Sequence, residues 1–497
     1  MNASLISDRL ERKTAEFLSR THRLFIDGDW TDAESGQTIT VINPATGRVL
    51  AEVQAGGPQD IDRAVRAARA AFDEGPWPRL QPSERARLML KLADAVAGEK
   101  EQIAYLETLD NGMPFSSGTR AAGLAAAHLS YFAGWCGKVA GEMHNVSQAD
   151  MHVYTVKEPV GVVGAITPWN FPFVMAVGKL SQALAAGCTI VLKPAELTPL
   201  SALKLAELVR EVGFPAGVVN VVVGYGDSAG KALVEHEQVD KISFTGSTAT
   251  GKWIVRAAAA SLKRVTLELG GKSPTIIFPD ADLTKAIPGA AMQVFANSGQ
   301  VCVAGSRLFI HRKVFDEVTE GVATFAKALR VAPGIDPQSQ IGPLISQHQL
   351  DRVMGYIQSG VDEGARVVQG GAQVGKEGYF VQPTVVAQTR REMRIVREEI
   401  FGPVVAAIPI EDDDLDSIAR HANDTQYGLA AYIWTRDVGR VHKLAGKIRA
   451  GSIQVNGGLA LDPAVPFGGY KQSGWGREFG AQGIEAFLET KAVVIRL

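Results

Sequence analysis

Cysteine is scarce in this chain: three in 497 residues, at Cys136, Cys188 and Cys302. An odd, sparse set excludes a disulfide framework of the secreted kind and fits a reducing compartment, so a cytoplasmic location is expected. Charge of one sign is missing as well. The formal net charge is −2, basic and acidic residues are interspersed, and no long basic run occurs, which argues against a nucleic-acid partner. The short acidic cluster at 411–414 reads as a solvated turn before a helix. Uninterrupted apolar segments are also absent. Residues 159–178 carry no formal charge, a length that could cross a bilayer, but Pro168, Asn170 and Pro172 break the middle of the stretch. A buried strand, a loop and a helix explain it better, and no membrane partner is expected. The N-terminal text mixes Asp8, Arg9, Glu11, Arg12 and Lys13 with no apolar core after them, unlike a signal peptide. No metal-ligand set is assigned.

What is present is ordinary globular composition, 46% hydrophobic and 21% charged, in a chain too long for one simple core. Two or three domains are expected. Short strands and turns are read from Leu24 to Ala51, and helices dominate from Asp60 to Val139, with Ala64, Ala67, Ala68 and Ala71 at helical spacing. Then strands and helices alternate: VGVVGAI, a helix from Phe173, TIVLK, a helix from Pro199, VVNVVVG, a short helix near Ser228, KISFTG, a helix from Thr248, and VTLEL. That rhythm implies a parallel sheet covered by helices on both faces. A second α/β region follows, with a helix over 282–297, SRLFIH, a helix over 314–329, VVAAIPI, LAAYIWT and GSIQVN. The stretches 151–157 and 491–497 alternate as half-exposed strands whose edges need partners, expected to be other copies of the chain.

Two places carry chemistry. KISFT runs into Gly246-Ser247-Thr248-Ala249-Thr250-Gly251-Lys252 and a helix, a turn that offers N–H groups and a positive dipole end to a phosphate. The spacing approaches that of an ATPase P-loop, but Trp253 stands where a magnesium-binding hydroxyl would be needed. It is not a G-x-G-x-x-G turn either, so an ordinary strand-helix turn stays open. Lys193-Pro194-Ala195-Glu196 follows TIVLK, where open parallel sheets bind ligands. A carboxylate at Glu196 can accept from ribose hydroxyls and would repel a 2′-phosphate, favouring NAD over NADP, with Lys193 beside it as a reservation. The second place is Asn297-Ser298-Gly299-Gln300-Val301-Cys302, a polar turn that can expose a thiol. A lone cysteine is more often a small buried hydrophobe, and Cys136 and Cys188 keep that reading. Glu268 in VTLELGG is a carboxylate inside an apolar strand, where burial would raise its pKa into the range of a general base.

Taken in order, PWNFP (168–172), KPAE (193–196), FTGSTATG (244–251), ELGGKSP (268–274), GQVCVAGSR (299–307), EEIFGP (398–403) and PFGGYKQSGWGRE (466–478) resemble the aldehyde dehydrogenase superfamily. The resemblance runs from about Leu24 to the C-terminus. It implies an α/β fold with two parallel-sheet domains, one binding NAD (1–140 and 162–271) and one catalytic (272–470), plus a small β oligomerisation arm and bridging tail (141–161 and 471–497). A homotetramer or homodimer is expected. It further implies Cys302 as nucleophile, Glu268 as base, and Asn170 with the Cys302 N–H as oxyanion hole. Ile166, Thr167, Trp169, Lys193, Glu196, Gly226, Gly246, Ser247, Glu399 and Phe401 are implied as cofactor contacts, and Lys179 and Glu478 as a proton-relay pair. Phe171, Gly178, Ala296, Val301, Val303, Leu461 and Phe467 are expected around the substrate. Many relatives carry bulky aromatics at the places of Gly178 and Ala296, so a roomier apolar pocket is expected here. Within the family the text, including FLSRTHRLFIDGDW and KEPVGVV, is similar to bacterial phenylacetaldehyde dehydrogenases. A broad medium-chain or aromatic aldehyde dehydrogenase, a CoA-acylating relative and a non-catalytic relative are the alternatives.

Overall fold

The computed structural model describes residues 6–411, 413–458 and 462–497. Its first sheet has eight strands, in the spatial order 474–475, 264–268, 241–245, 162–166, 189–193, 219–221, 24–26 and 29–31. The five strands from 264–268 to 219–221 are mutually parallel. VVGAI, TIVLK and KISFT are buried at every residue, which is why they read as unbroken apolar or small-residue text: helices cover both faces. From the 162–166 strand the chain winds outward through 189–193 to 219–221, then returns to the other side of 162–166 with 241–245 and 264–268. The winding direction therefore reverses between 162–166 and 241–245. In open parallel sheets such a reversal opens a crevice beyond the carboxyl ends of the strands. Trp169 and Asn170 leave one of these two strands, and Gly246 and Ser247 leave the other.

The second sheet has seven strands, ordered 366–369, 384–387, 404–410, 307–311, 274–277, 430–434 and 452–455. All pairs are parallel except the outermost, 366–369 with 384–387. Pro274–Ile277, the helix Gln347–Asp362, Arg366–Gln369 and Thr384–Ala387 were not anticipated. The first opens on a proline and follows so soon after Glu268 that the text ELGGKSPTII shows no separate strand. The helix did have a signal: its buried Leu350, Val353 and Ile357 stand at helical spacing.

A third, small sheet corrects one expectation. Met151–Pro159 and Leu488–Arg496 do not present separate bare edges; they pair with each other, antiparallel, from Leu488↔Pro159 to Arg496↔Met151. Met143–His144 pairs on the other side of Met151–Pro159. The tail also returns to the first sheet, where Gly474–Trp475 pairs with the Glu268 strand. The charge-free stretch 159–178 forms the end of one strand, the Val162–Ile166 strand and the start of the helix Pro172–Ala186. Among the described residues no helix is long and apolar enough to cross a membrane.

Candidate active site

The crevice at the reversal point is built from both of its banks. On one bank, Ile166 ends its strand and the Thr167 N–H donates to the Lys193 carbonyl at 3.2 Å. The turn that follows is held from outside by Asn111, whose side-chain amide donates to the Trp169 carbonyl at 2.7 Å and the Asn170 carbonyl at 3.4 Å. The helix after it begins with Phe173 N–H donating to the buried Glu107 carboxyl at 2.7 Å. Burial pushes that carboxyl up to about 7, against the pull of this N–H and of the Ser201 hydroxyl. On the opposite bank, Ser247 caps the helix Thr248–Ala258, its Oγ accepting from Thr250 N–H at 3.1 Å. A Cβ at Gly246 would lie 2.4 Å from the Phe244 ring, so any side chain there would force that ring to move. Helix first turns leave N–H groups without partners inside the helix, and Gly246 and Ser247 line the crevice.

The crevice has a volume of about 230 Å³ and runs down to Asn170, Glu268 and Cys302. Glu399 and Phe401 form part of its wall. The Glu399 carboxylate lies against the glycine pair of ELGG: it accepts from Gly271 N–H at 3.0 Å, and a Cβ on Gly270 would come within 2.2 Å of it. Burial pushes its pKa up to about 7, opposed by that N–H and by Arg352 and Lys272. Phe401 sits at φ 59° and meets Trp169 edge-on, with ring centroids 5.2 Å apart. Arg352 and Gln349, unremarked in the sequence, hold this segment by donating to the carbonyls of Glu399 (2.6 Å) and Phe401 (2.7 Å).

Cys302 arrives on a strained loop. Asn297, Ser298 and Gly299 have φ of 49°, 56° and 72°, three successive residues in the left-handed region. That conformation costs a non-glycine residue about 1–2 kcal/mol, so it persists only where neighbours enforce it. They do: Ser298 Oγ donates to the Gly342 carbonyl at 2.7 Å, Asn297 Nδ2 to the Asn170 carbonyl at 2.8 Å, and Ile345 N–H to Gln300 Oε1 at 2.9 Å. Asn170 Nδ2 donates to the Gln300 carbonyl at 2.8 Å, which uses one of its two amide hydrogens. The Cys302 side chain is partly exposed, yet its thiol is pushed up to about 12. Burial contributes most, then the charges of Glu399 and Glu268, against the N–H groups of Val303 and Cys302 itself. The resting sulfur is therefore a thiol. Cys136 and Cys188 are fully buried.

Glu268 ends its strand 3% exposed, and among the described residues neither carboxyl oxygen has a hydrogen-bond partner. Burial first, and Glu478 second, hold its pKa well above the usual carboxylate range, while Lys179 and Arg477 oppose them. Behind it lies a buried ion pair, Lys179 with Glu478, bridged by Ser243: Lys179 Nζ donates to Ser243 Oγ at 3.0 Å, and that hydroxyl donates to Glu478 at 3.2 Å. A second cavity, of about 280 Å³, opens on the other side of Cys302 and Glu268. Its walls are apolar and include Phe171, Val174, Met175, Val301 and Phe467. Cys302 and Glu268 thus stand where two cavities meet.

A model of the aldehyde dehydrogenase family matches residues 30–493. The chain belongs to the aldehyde dehydrogenase family. It is 52% identical over 495 residues to DhaS of Bacillus subtilis (strain 168), covering 99% of both chains. It is 46% identical to the aldehyde dehydrogenase of Enchytraeus buchholzi, over 100% of this chain and 99% of that one. The structure superposes on an NAD+ complex of aldehyde dehydrogenase from Bacillus cereus with a TM-score of 0.96 and 46% identity, covering 98% of each chain.

The residues that family resemblance had singled out are not all brought to one place. Asn170, Glu268 and Cys302 come together, and Trp169, Gly246, Ser247, Glu399 and Phe401 line the crevice above them. Lys193 and Glu196 do not line the crevice; Lys193 ends the strand beside Ile166 and pairs with Glu196 at 3.1 Å, with Lys193 buried and Glu196 one-third exposed. Gly226 was expected to let the backbone approach the cofactor; a Cβ there would touch nothing in the chain, whereas at Gly224 in the same turn it would lie 2.4 Å from the Gly56 carbonyl. Around the second cavity, Phe171, Ala296, Val301, Val303 and Phe467 are in place. Gly178 is not on its wall. It lies inside the helix Pro172–Ala186, and the Phe479 ring packs 3.2 Å from where its Cβ would be, so a side chain from elsewhere fills the space that glycine leaves. Leu461 lies outside the described residues. The walls that sequence reasoning missed, Met113, Leu124 and Phe479 among them, are ordinary apolar residues. Their signal was faint: Ser117, Ala121, Leu124 and His128 recur on one face of the helix Phe115–Ala133.

Proposed function

We propose that this NAD-dependent oxidoreductase converts a bulky apolar aldehyde, an arylacetaldehyde before others, into its carboxylic acid through a covalent intermediate on Cys302. The observation that carries the reading is the shared position of Cys302 and Glu268 between a polar crevice and an apolar cavity. The crevice fits a dinucleotide: a helix N-terminus at Gly246–Ser247 for its phosphates, Glu399 and, beyond the crevice wall, Glu196 for its riboses, and Phe401 and Trp169 for a flat ring. NAD, when bound there, supplies the hydride acceptor.

The Cys302 sulfur adds to the carbonyl carbon, and the oxygen gains negative charge as the C=O bond opens. The remaining Asn170 amide hydrogen and the Cys302 N–H are the donors assigned to that oxygen; donors so placed are worth about 10²–10³ in rate. The hydride leaves to the bound dinucleotide and the former thiol proton to solvent in the crevice, which leaves a thioester on Cys302. Glu268, unpaired and with a raised pKa, takes a proton from water as that water attacks the thioester. The acid leaves and the thiol is restored. Overall, one aldehyde, one NAD and one water give one acid, one NADH and one proton. Lys179, Ser243 and Glu478 are hydrogen-bonded to one another behind Glu268 and are assigned the onward path for its proton; neither Glu268 oxygen bonds to them, so the hand-over needs a water between.

The first sheet with its helices is the cofactor unit, the second the catalytic unit, and the sheet of Met151–Pro159 and Leu488–Arg496 the arm of a homotetramer or homodimer in the cytoplasm. The second cavity's flexible walls at Met113 and Met175 favour one further reading, a broad range of medium-chain aldehydes. NADH absorbance with phenylacetaldehyde, hexanal and acetaldehyde tests both. Phenylacetaldehyde with no better kcat/KM than the other two sinks the arylacetaldehyde reading, and activity surviving in Cys302→Ala sinks the covalent one.

A further inference from the structure

The second cavity is apolar except at its two ends. The helix Phe115–Ala133 runs along it and turns Ser117, Arg120, Ala121, Leu124 and His128 toward it. The inner end is set by His128, which packs on Phe479 at 4.6 Å between ring centroids, beside Glu478. Burial lowers the His128 pKa to about 4, so this ring is neutral and contributes no charge. Glu268 and Glu478 line the cavity, the second of them paired with Lys179, and the Asp462 carboxylate is near enough to act on His128. At 1.5 Å rise per residue, Arg120 stands roughly 12 Å along the helix axis from His128.

Arg120 is exposed at the outer end. Its guanidinium donates to Ser117 Oγ at 2.9 Å and, among the described residues, pairs with no carboxylate. Arg352, the arginine in the wall of the crevice, is by contrast bound to the Glu399 and Ile400 carbonyls. Arg120 therefore places an unneutralised, forked donor at the mouth of an apolar cavity that ends on a reactive thiol and two carboxylates. An anionic group on a substrate cannot settle at the inner end, where Glu268 repels it and apolar walls desolvate it. At the mouth it meets a guanidinium whose geometry suits two carboxylate oxygens.

We propose that Arg120 is an anion-recognising subsite, and that the preferred substrates are aryl or apolar aldehydes bearing a carboxylate at the end remote from the carbonyl. The proposal rests on the reading that the second cavity takes the aldehyde. It narrows the substrate class: the apolar part spans the cavity, the aldehyde reaches Cys302 and the carboxylate stays in solvent contact on Arg120.

Two matched pairs test it at neutral pH and low salt: phenylacetaldehyde against para-carboxyphenylacetaldehyde, and heptanal against the same chain ending in a carboxylate. The readout is the ratio of kcat/KM, charged over neutral, for wild type, Arg120→Gln and Arg120→Glu. Taking this ratio cancels general damage from the substitution. The ratio is expected to fall about 2- to 5-fold in Arg120→Gln, the worth of a solvent-exposed ion pair, and further in Arg120→Glu. The fall should lie in KM, and added salt should shrink the wild-type ratio. An equal ratio in wild type and Arg120→Gln for the pair that is turned over overturns the proposal. If the aryl pair is not oxidised while the aliphatic pair is, the arylacetaldehyde reading fails and the aliphatic ratio still decides on Arg120.

Discussion

Glu268→Gln keeps the shape of the side chain and removes its charge, and the structure assigns that change two effects of opposite sign. In catalysis the base is lost. A positioned general base contributes about 10²–10⁴ in rate, equivalent to about 3–5 kcal/mol of barrier, so steady-state kcat should fall by that factor. The thioester forms before water attacks, so the variant should still release about one NADH per chain in a burst and then stall. In folding the variant gains. The wild-type carboxyl is buried with neither oxygen partnered, and its pKa in the folded chain lies well above the usual value. Below the ordinary carboxylate range both folded and unfolded chains hold the proton and the group has no effect. As pH rises from there toward the folded-state pKa, the unfolded chain ionises first, so wild type loses stability that Glu268→Gln, which does not titrate, retains. The difference should grow across that window and then level once the folded-state carboxyl ionises as well, at a size set by how far burial raises its pKa. Stopped-flow NADH absorbance reads the burst and the steady state, and urea midpoints at several pH values read the stability. A variant with kcat within tenfold of wild type, or one whose stability gain does not change with pH, would refute this account of Glu268.

Asn170→Ala removes the free amide hydrogen next to Cys302 and should lower kcat about 10²- to 10³-fold with little change in KM for the aldehyde; an effect confined to KM would place Asn170 in binding instead. Iodoacetamide should label the native chain at Cys302 alone, since Cys136 and Cys188 are buried. Because the Cys302 thiol is pushed up to about 12, the labelling rate should keep climbing with pH and show no plateau below pH ~10, which peptide mapping against pH checks. Lys179→Met and Glu478→Gln each strip a buried charge of its partner and should each cost about 3–5 kcal/mol by denaturant titration, whereas the double variant should cost much less than their sum. Additive losses would mean that the two side chains do not act as a pair.

The parts of the site that were legible in the sequence are those where chemistry restricts residue type within a few consecutive positions. NSGQVC, VTLELGG and PWNFP each announce a polar or glycine-rich interruption of apolar text, and their Cys302, Glu268 and Asn170 converge in space. The alternation of strands and helices was legible for the same reason that the first sheet is buried on both faces: unbroken apolar strands contrast with amphipathic helices. What stayed hidden depends on long-range packing. Gly178 reads as vacant volume, but volume is filled from anywhere in the chain, here by Phe479. Arg352 looks like any helical arginine until the helix is laid beside Glu399 and Ile400. The edge strands 151–159 and 488–496 each looked unpartnered because nothing local says that two distant strands share a register.

The position of Cys302 and Glu268 between two cavities has a consequence for traffic. One ligand approaches through the crevice of the first sheet, and the other along the apolar cavity beneath the helix Phe115–Ala133. Neither has to pass the other to reach the sulfur. The acid can leave by the door through which the aldehyde came while the dinucleotide stays seated, so the order of arrival and departure is a matter of affinities, not of a queue imposed by the walls.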